Sequence, residues 1–310
     1  MEIKGILVSA LAPFENHIAN GGEKLLGNAG SIKRRPDGRV YVSGQMQRHV
    51  FFSAIDRLNM ADANKGDTFV STGDGTTNQI ENDLRADLGG FMLPSKGDYS
   101  GRRTAPLSVT PAVAMKESEV KNDLLVRVKN NSSEESKEQA LATKEFSQSD
   151  LMNMNFFLDV TALSISKVFN YKGGFNIGTK YIKHANDAER KRRARLYLEA
   201  TRYMNDYANQ ARNAVCGEPQ QVIIVFDTVL SRKACRYFTT DNATEKENIL
   251  AELNDRGAIY FIGDDQTDET VAKAYKNALE FLANNELSNP AGDDKEVKSF
   301  EEAFAQTDNK

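Results

Sequence analysis

KRRPDGRVYVSGQMQRHVFF, residues 33–52, decides how the rest of the chain is read. Pro36-Asp37-Gly38 is a turn signal. The basic cluster Lys33, Arg34 and Arg35 leads into it, and Val40-Tyr41-Val42 leaves it as a short strand. Ser43 stands where a helix N-cap belongs, and Met46, Val50 and Phe51 follow at helical spacing on the apolar side. Gln45, Arg48 and His49 occupy the first two turns. The segment therefore reads as basic loop, strand, helix. It brings backbone N–H groups and guanidinium groups to one helix N-terminus, which favours phosphate there.

Working outward, Ile3 to Leu11 (IKGILVSAL) reads as a buried strand, and Pro13 to Gly38 as a long glycine-bearing loop. Residues 61–106 are polar, rich in glycine and without periodicity, which predicts an insertion; Gly73-Asp74-Gly75 within it is a turn signal. Extended stretches return at 106–114, 124–129 and 154–165, separated by the polar turn 130–138. Residues 167–187 form a basic, aromatic, glycine-bearing loop. A long helix begins near Asn186, and Gly217 and Pro219 end it. Its buried stripe is Leu196, Ala200, Tyr203, Met204, Tyr207 and Ala211. Then come a strong strand at 221–230, a short helix opened by a Thr244 to Glu247 capping box, a strand at 257–263 and an amphipathic helix at 268–282. Residues 284–310 are acidic and predict a flexible tail. The order suits an α+β fold with helices on one face of a four- to five-stranded sheet, and a ferredoxin-like or RRM-like core is its natural form.

The chain has 310 residues, 40% of them hydrophobic, so it can bury a sizeable core. A net charge of −4 argues against a uniformly basic nucleic-acid binder, but local clusters steer a polyanion more than net charge does. Cys216 and Cys235 fit no ligand spacing and read as free thiols. No apolar run is long enough to span a bilayer and the N-terminus lacks a signal-peptide pattern, so the expectation is a cytoplasmic protein.

Two basic constellations stand out. Lys24, Asn28, Lys33, Arg34, Arg35, Ser43, Gln45, Arg48 and His49 surround the early glycines and form the candidate phosphate cradle. Lys172, Gly173, Gly174 and Phe175, with Arg192 and Arg193 downstream, form the second. A flexible Lys-Gly-Gly-Phe loop could wedge or stack against bases, with Tyr171 beside it. Against this, a solvated helix face laced by Glu189–Arg193 and Arg195–Glu199 pairs explains part of the charge. Asp227, Asp264, Asp265 and Asp268 lie near strand ends and read as surface acids and caps. His17, His49 and His184 show no metal or triad spacing. No cofactor or metal site is expected.

The first strand, the glycine-bearing loop and RR-PDG-RVYVSGQMQRHVFF together resemble the start of the backbone subunit of type I CRISPR interference (Cascade) complexes. That family is the seventh Cas family, within the RAMP superfamily. The family's basic loop, short strand, Ser-Gly-Gln unit and helix with a base three residues on correspond here to Arg34 and Arg35, Val40 to Val42, Ser43-Gly44-Gln45, and Arg48. LAPFENHIANGGEKLLGNAG and PLSVTPAVAM resemble the DevR branch of subtype I-B and related systems.

The resemblance implies a palm from residues 1–60, 106–170 and 220–283, a finger-type insertion at 61–105 and a thumb-type insertion at 171–219. It also implies a non-catalytic subunit that stacks head to tail along crRNA as a filament and presents it to a target DNA strand. The partners would be copies of itself and the other Cascade subunits: Cas five, Cas six, and the large and small subunits. Such a subunit should hold phosphate and sugar and leave base edges free. Related type III subunits cut RNA with an aspartate in the loop after the first strand. Here Pro13 to Ile32 holds Glu15 and Glu23 but no Asp. Two other readings compete: a metal-dependent RNA endonuclease using Glu23 or Asp37, and an enzyme binding a phosphorylated small molecule at Gly21 to Gly30.

Overall fold

The computed structural model describes residues 1–24, 30–73, 77–93, 101–128, 139–292 and 296–304. The chain begins with β1 (Glu2–Ile3), the long β2 (Gly5–His17), β3 (Gly21–Lys24), β4 (Gly30–Ile32) and β5 (Tyr41–Val42), and enters helix α1 (Gly44–Ala61). α2 (Leu84–Gly89), the paired β6 (Phe91–Leu93) and β7 (Gly101–Arg103), β8 (Leu107–Val109) and β9 (Ala112–Ala114) follow. Two hairpins come next: β10 (Val120–Val128) with β11 (Gln139–Asp159), then β12 (Ile165–Lys172) with β13 (Phe175–Lys183). The last third holds α3 (Asp187–Arg202), β14 (Gln221–Asp227), a 3-10 turn at Lys233–Arg236 and α4 (Ala243–Asp255). β15 (Ile259–Asp264), α5 (Val271–Asn284), β16 (Glu286–Leu287) and α6 (Phe300–Phe304) complete it.

β2 and β11 form the spine of a mixed α+β fold. They pair antiparallel from Asp159↔Gly5 to Ser147↔His17. β14 and then β15 extend the sheet on the β2 side, and β8, β9 and β10 pair with β11. Period-2 alternation assigns the faces. Ile6, Val8, Ala10 and Ala12 of β2, with Met152, Met154 and Phe156 of β11, enter one core with residues of α1, α3 and α5. Leu7, Leu11, Phe157, Ile223 and Val225 point the other way, under α4 and the 3-10 turn. The sheet is therefore covered on both faces, not on one as the sequence suggested. Among the described residues no helix is long and apolar enough to cross a membrane.

α1 starts where the sequence placed it. Ser43 is extended (φ −60°, ψ 150°) and its hydroxyl accepts from the Met46 N–H at 3.3 Å. Val50, Phe51, Phe52 and Ile55 are fully buried, each worth roughly 1.5–3 kcal/mol of burial.

Several expectations are corrected. β2 does not stop at Leu11 but runs to His17, because continuous pairing with β11 overrides Pro13. The long helix stops at Arg202, so Met204 and Tyr207 pack from the segment beyond it, while Tyr203 is exposed and leaves the expected buried stripe. α3 packs into the main core, where Leu196, Tyr197 and Leu198 meet Ile6 and Val8. α4 is capped by Asn242, whose side chain accepts from the Thr244 N–H at 3.0 Å, so Thr244 is not the cap. The 167–183 loop is a β-hairpin turned by Gly173 and Gly174, whose φ values of 56° and 84° suit glycine.

Part of the expected tail is docked. Lys298 N–H donates to the Lys183 carbonyl at 2.9 Å. Phe300 is buried against Phe91, with ring centroids 5.1 Å apart. Residues 293–295 and 305–310 lie outside the described residues.

Candidate nucleic-acid interface

Residues 33–39 fold back as a tight turn. The Arg35 N–H donates to the Arg39 carbonyl at 2.9 Å, and Tyr41 N–H to the Lys33 carbonyl at 3.1 Å. Gly38 has φ 79°, and a Cβ there would meet Glu117 at 2.8 Å, so only glycine fits. The turn presents Arg34 and Arg35 to solvent, with Lys33 and Arg39 half-buried beside them. Arg34 pairs with Glu145 at 3.1 Å and Arg39 with Asp37 at 2.7 Å. Both pairs are exposed and worth about 0–1 kcal/mol, so a phosphate can displace the carboxylate. The hydrogen bond from Arg39 holds the Asp37 carboxyl below its usual pKa. Among the described residues Arg35 has no carboxylate within 4.0 Å.

The helix opening lies in the same layer. Asn20 Oδ1 accepts from the Ser43 N–H at 2.9 Å, which ties the 18–24 segment to the start of α1. Gln45 and His49 are exposed; His49 Nε2 lies 3.9 Å from Asp206. Lys24 lies in β3 with its side chain outside the described residues, as is the whole of Asn28.

Arg48 does not join Arg34 and Arg35. It is half-buried and turned toward α2, donating from Nη2 to the Gly89 carbonyl at 2.7 Å. Burial pulls its pKa below the usual guanidinium value. The expected convergence at the helix N-terminus therefore omits one of its arginines. The cause is the helical turn, which carries residue 48 round to the face covered by residues 84–90.

Arg192 and Arg193 are corrections. Arg193 is fully buried; it donates to Asp87 Oδ2 at 2.7 Å and to Glu189 Oε1 at 2.8 Å. Arg192 is buried too, pairing with Glu189 at 2.6 Å and Asp62 at 3.2 Å. Arg193 is closed off in the interior, whereas Arg192 lies in the wall of an open cavity of about 740 Å³ beside Lys191 and Arg195, its guanidinium taken up by Glu189 and Asp62. The arginine-rich first turns of α3 tie Asp62, the Ile80 and Glu81 carbonyls and Asp87 to the core.

The β12–β13 arm keeps the second constellation's other members at the surface. Lys172, Gly173, Gly174 and Phe175 are all exposed, Phe175 at 76%. Ile177 and Phe169, which the sequence reading passed over, are exposed on the same arm, and Lys167 Nζ sits 5.1 Å from the Phe169 ring centroid. Their one signal was the Gly173-Gly174 turn between two short extended stretches, since Val168 and Phe169 are adjacent and no clean alternation marks the strands. Among the described residues no three His, Cys, Asp or Glu side chains gather into a metal-binding group.

Comparison with known proteins follows this geometry. No curated protein matches the chain by sequence. In solved structures the chain is similar to a component of a "CRISPR RNA-guided surveillance complex", with 15% identity, TM-score 0.54, and 89% of this chain and 99% of that one covered. It is also similar to one in a "CRISPR RNA-guided surveillance complex, pre-nicking", at 12% identity and TM-score 0.55, covering 90% and 99%. At these identities the likeness shows a shared fold. The family model described as "CRISPR-associated negative auto-regulator DevR/Csa2" matches residues 28–214, more than half of the chain and all of the 33–52 segment. The chain belongs to the CRISPR-associated DevR/Csa2 family.

Proposed function

We propose that this protein is a non-catalytic crRNA-binding backbone subunit of a type I Cascade complex. In this reading copies of it stack head to tail along the guide and present it for pairing with a target DNA strand, alongside the complex's other subunits. The observation that carries the reading is the exposed Arg34–Arg35 turn beside the Ser43-capped start of α1, within the segment that the family model matches. Guanidinium and amide groups there suit phosphate and sugar and leave base edges unread.

The strand order supports a ferredoxin-like palm: β14, β2, β11 and then β8 to β10, with α1 and α3 packed together on one face. The β12–β13 arm suits the thumb role, since its apolar tip can enter a stacked strand. Residues 61–105 supply the finger-type part. A contact that does not close on itself generates a helical array, which matches a guide of repeated phosphates. Both structural neighbours carry surveillance-complex titles, which favours this assembly over a free-standing enzyme.

The test is to purify the full chain and read the absorbance ratio at 260 and 280 nm, then image it with guide RNA. Co-purifying RNA and helical particles are expected, with no cleavage of guide-paired RNA in Mg²⁺. An RNA-free discrete oligomer overturns the reading. Periodic cuts lost in Glu23→Gln or Asp37→Asn would replace it with the endonuclease.

A further inference from the structure

Residues 296–304 join two parts of the molecule that lie far apart in the sequence, the root of the β12–β13 arm and the segment around α2. At the arm, Val297 bridges Lys183 in parallel, and the Lys298 N–H donates to the Lys183 carbonyl at 2.9 Å. The Lys298 carbonyl accepts from His184 Nδ1–H at 2.7 Å, and His184 Nε2 accepts from the Ser166 hydroxyl at 2.8 Å. Lys183 ends β13 and Ser166 lies in β12, so this stretch reaches both strands.

The other end is anchored by α6. A capping box opens it: the Ser299 hydroxyl accepts from the Glu302 N–H at 3.1 Å, and Glu302 Oε2 accepts from the Ser299 N–H at 2.9 Å. The turn drives Phe300 into a cluster with Ile80, Ala86 and Phe91, where it is buried. The Phe300 N–H donates to Glu81 Oε2 at 3.1 Å, and the Phe304 ring centroid lies 4.5 Å from that of Phe300.

The arm needs a hold of this kind. Among the described residues β12 and β13 pair only with each other. A lone two-stranded hairpin is marginal in water. Residues 175–182 are exposed or half-buried, so the direction of the arm is set at its root. There Arg103 Nη1 donates to the Ile165 carbonyl at 3.0 Å, and the His184 N–H to the Ser164 carbonyl at 2.8 Å. Lys298 adds the contact that continues to Phe300 and the α2 segment.

We propose that residues 296–304 are a strap that orients the β12–β13 arm for contact with single-stranded RNA, with Phe300 as its anchor and Lys298 as its link to the arm. The RNA part rests on the functional reading above; the hold on the arm does not. Two readouts on the full chain test it: amide hydrogen exchange of residues 165–183, and fluorescence anisotropy with a 5′-fluorescein 12-nucleotide oligo(U). Lys298→Pro removes the N–H given to Lys183 and spares the Phe300 cluster. Phe300→Ala empties the anchor, and Phe300→Leu refills it.

Lys298→Pro and Phe300→Ala are each expected to speed exchange in the arm about tenfold. Each should also weaken oligo(U) binding about tenfold, within the range of one lost base stack. Adding Phe175→Ala to Lys298→Pro should cost little more, because both act through the arm. Phe300→Leu should recover most of the binding. Unchanged arm exchange in Lys298→Pro overturns the inference, even if Phe300→Ala unfolds, since Phe300 is then only packing. Fully additive losses with Phe175→Ala also overturn it. If the wild-type protein binds no oligo(U), the functional reading fails and the RNA role of the strap with it. Faster arm exchange in Lys298→Pro would still uphold the strap's hold on the arm.

Discussion

Arg193 Nη1 lies 2.7 Å from Asp87 Oδ2, and neither side chain has exposed surface. Asp87 also accepts from Arg103 at 2.6 Å and from the Ser164 hydroxyl and backbone N–H at 2.6 and 2.9 Å. Burial alone would raise its pKa; the Arg103 and Arg193 charges outweigh that and hold it below the usual carboxylate value. One carboxylate thus joins α2, β7, the β11–β12 turn and α3. Asp87→Ala leaves two buried guanidiniums short of a partner and should cost about 3–5 kcal/mol. Urea denaturation read by circular dichroism checks it, and a loss under 1 kcal/mol would mean that α2 and β7 are held by other contacts.

The pH dependence of stability follows from His184. Burial pulls its pKa from 6.5 to about 4, while the hydrogen bond to the Lys298 carbonyl opposes the shift. Arg103 and Arg193 disfavour an imidazolium there, and Asp87 favours it. The neutral ring fits its partners: Nδ1–H donates to the Lys298 carbonyl at 2.7 Å, and Nε2 accepts from the Ser166 hydroxyl at 2.8 Å. Between pH 6.5 and 4 the unfolded chain holds the extra proton. This stability is complete above 6.5 and is lost as pH falls toward 4, roughly 3 kcal/mol in all. Denaturation midpoints from pH 7.5 to 4.5 should fall less in His184→Gln than in wild type. Parallel profiles would place the acid sensitivity elsewhere.

Phe175 separates a binding role from a packing role. It is 76% exposed at the tip of the β12–β13 arm. Phe175→Ala should therefore leave the melting temperature within about 1 °C of wild type, since exposed substitutions cost within ±0.5 kcal/mol. Its affinity for single-stranded RNA should fall by about 1–3 kcal/mol, the worth of one base–aromatic stack. Unchanged affinity would remove the arm from the binding surface.

Gly90 fixes the turn that leaves α2. It has φ 66°, and a Cβ would fall 2.4 Å from the Arg103 carbonyl oxygen. Gly90→Ala should destabilise by about 1–3 kcal/mol from backbone conformation alone, with more from the collision. Thermal unfolding of the variant measures it; a neutral result would show that β6 and β7 can separate without loss.

Legibility in the sequence tracked how local each signal is. Ser43 could be read because a cap, an apolar stripe and a turn sit within one short segment. β14 and α5 were equally plain, as a continuous apolar run and a single periodic face. The hairpin β12–β13 hid behind its Gly-Gly turn because its strands are solvated, so the alternation that marks a buried strand is weak. α2 was missed although Asp83 before it and Gly89-Gly90 after it are start and stop signals, because a six-residue helix shows no periodicity. Arg192 and Arg193 misled most. Charge reads as surface, and only the partners Asp87, Asp62 and Glu189, two of them far away in sequence, reveal that these guanidiniums are interior. Arg48 was placed on the correct helix but on the wrong side, since its neighbour Arg85 comes from a stretch without pattern.

The most direct test of the central claim is the salt dependence of binding to two unrelated 20-nucleotide RNAs, for wild type and for Arg34→Glu/Arg35→Glu. The account predicts equal wild-type affinities for both sequences. It also predicts a slope flattened in the variant by about 0.7 for every phosphate no longer neutralised, to the same extent on each RNA. A preference for one sequence, or a variant that keeps the wild-type slope, would contradict it.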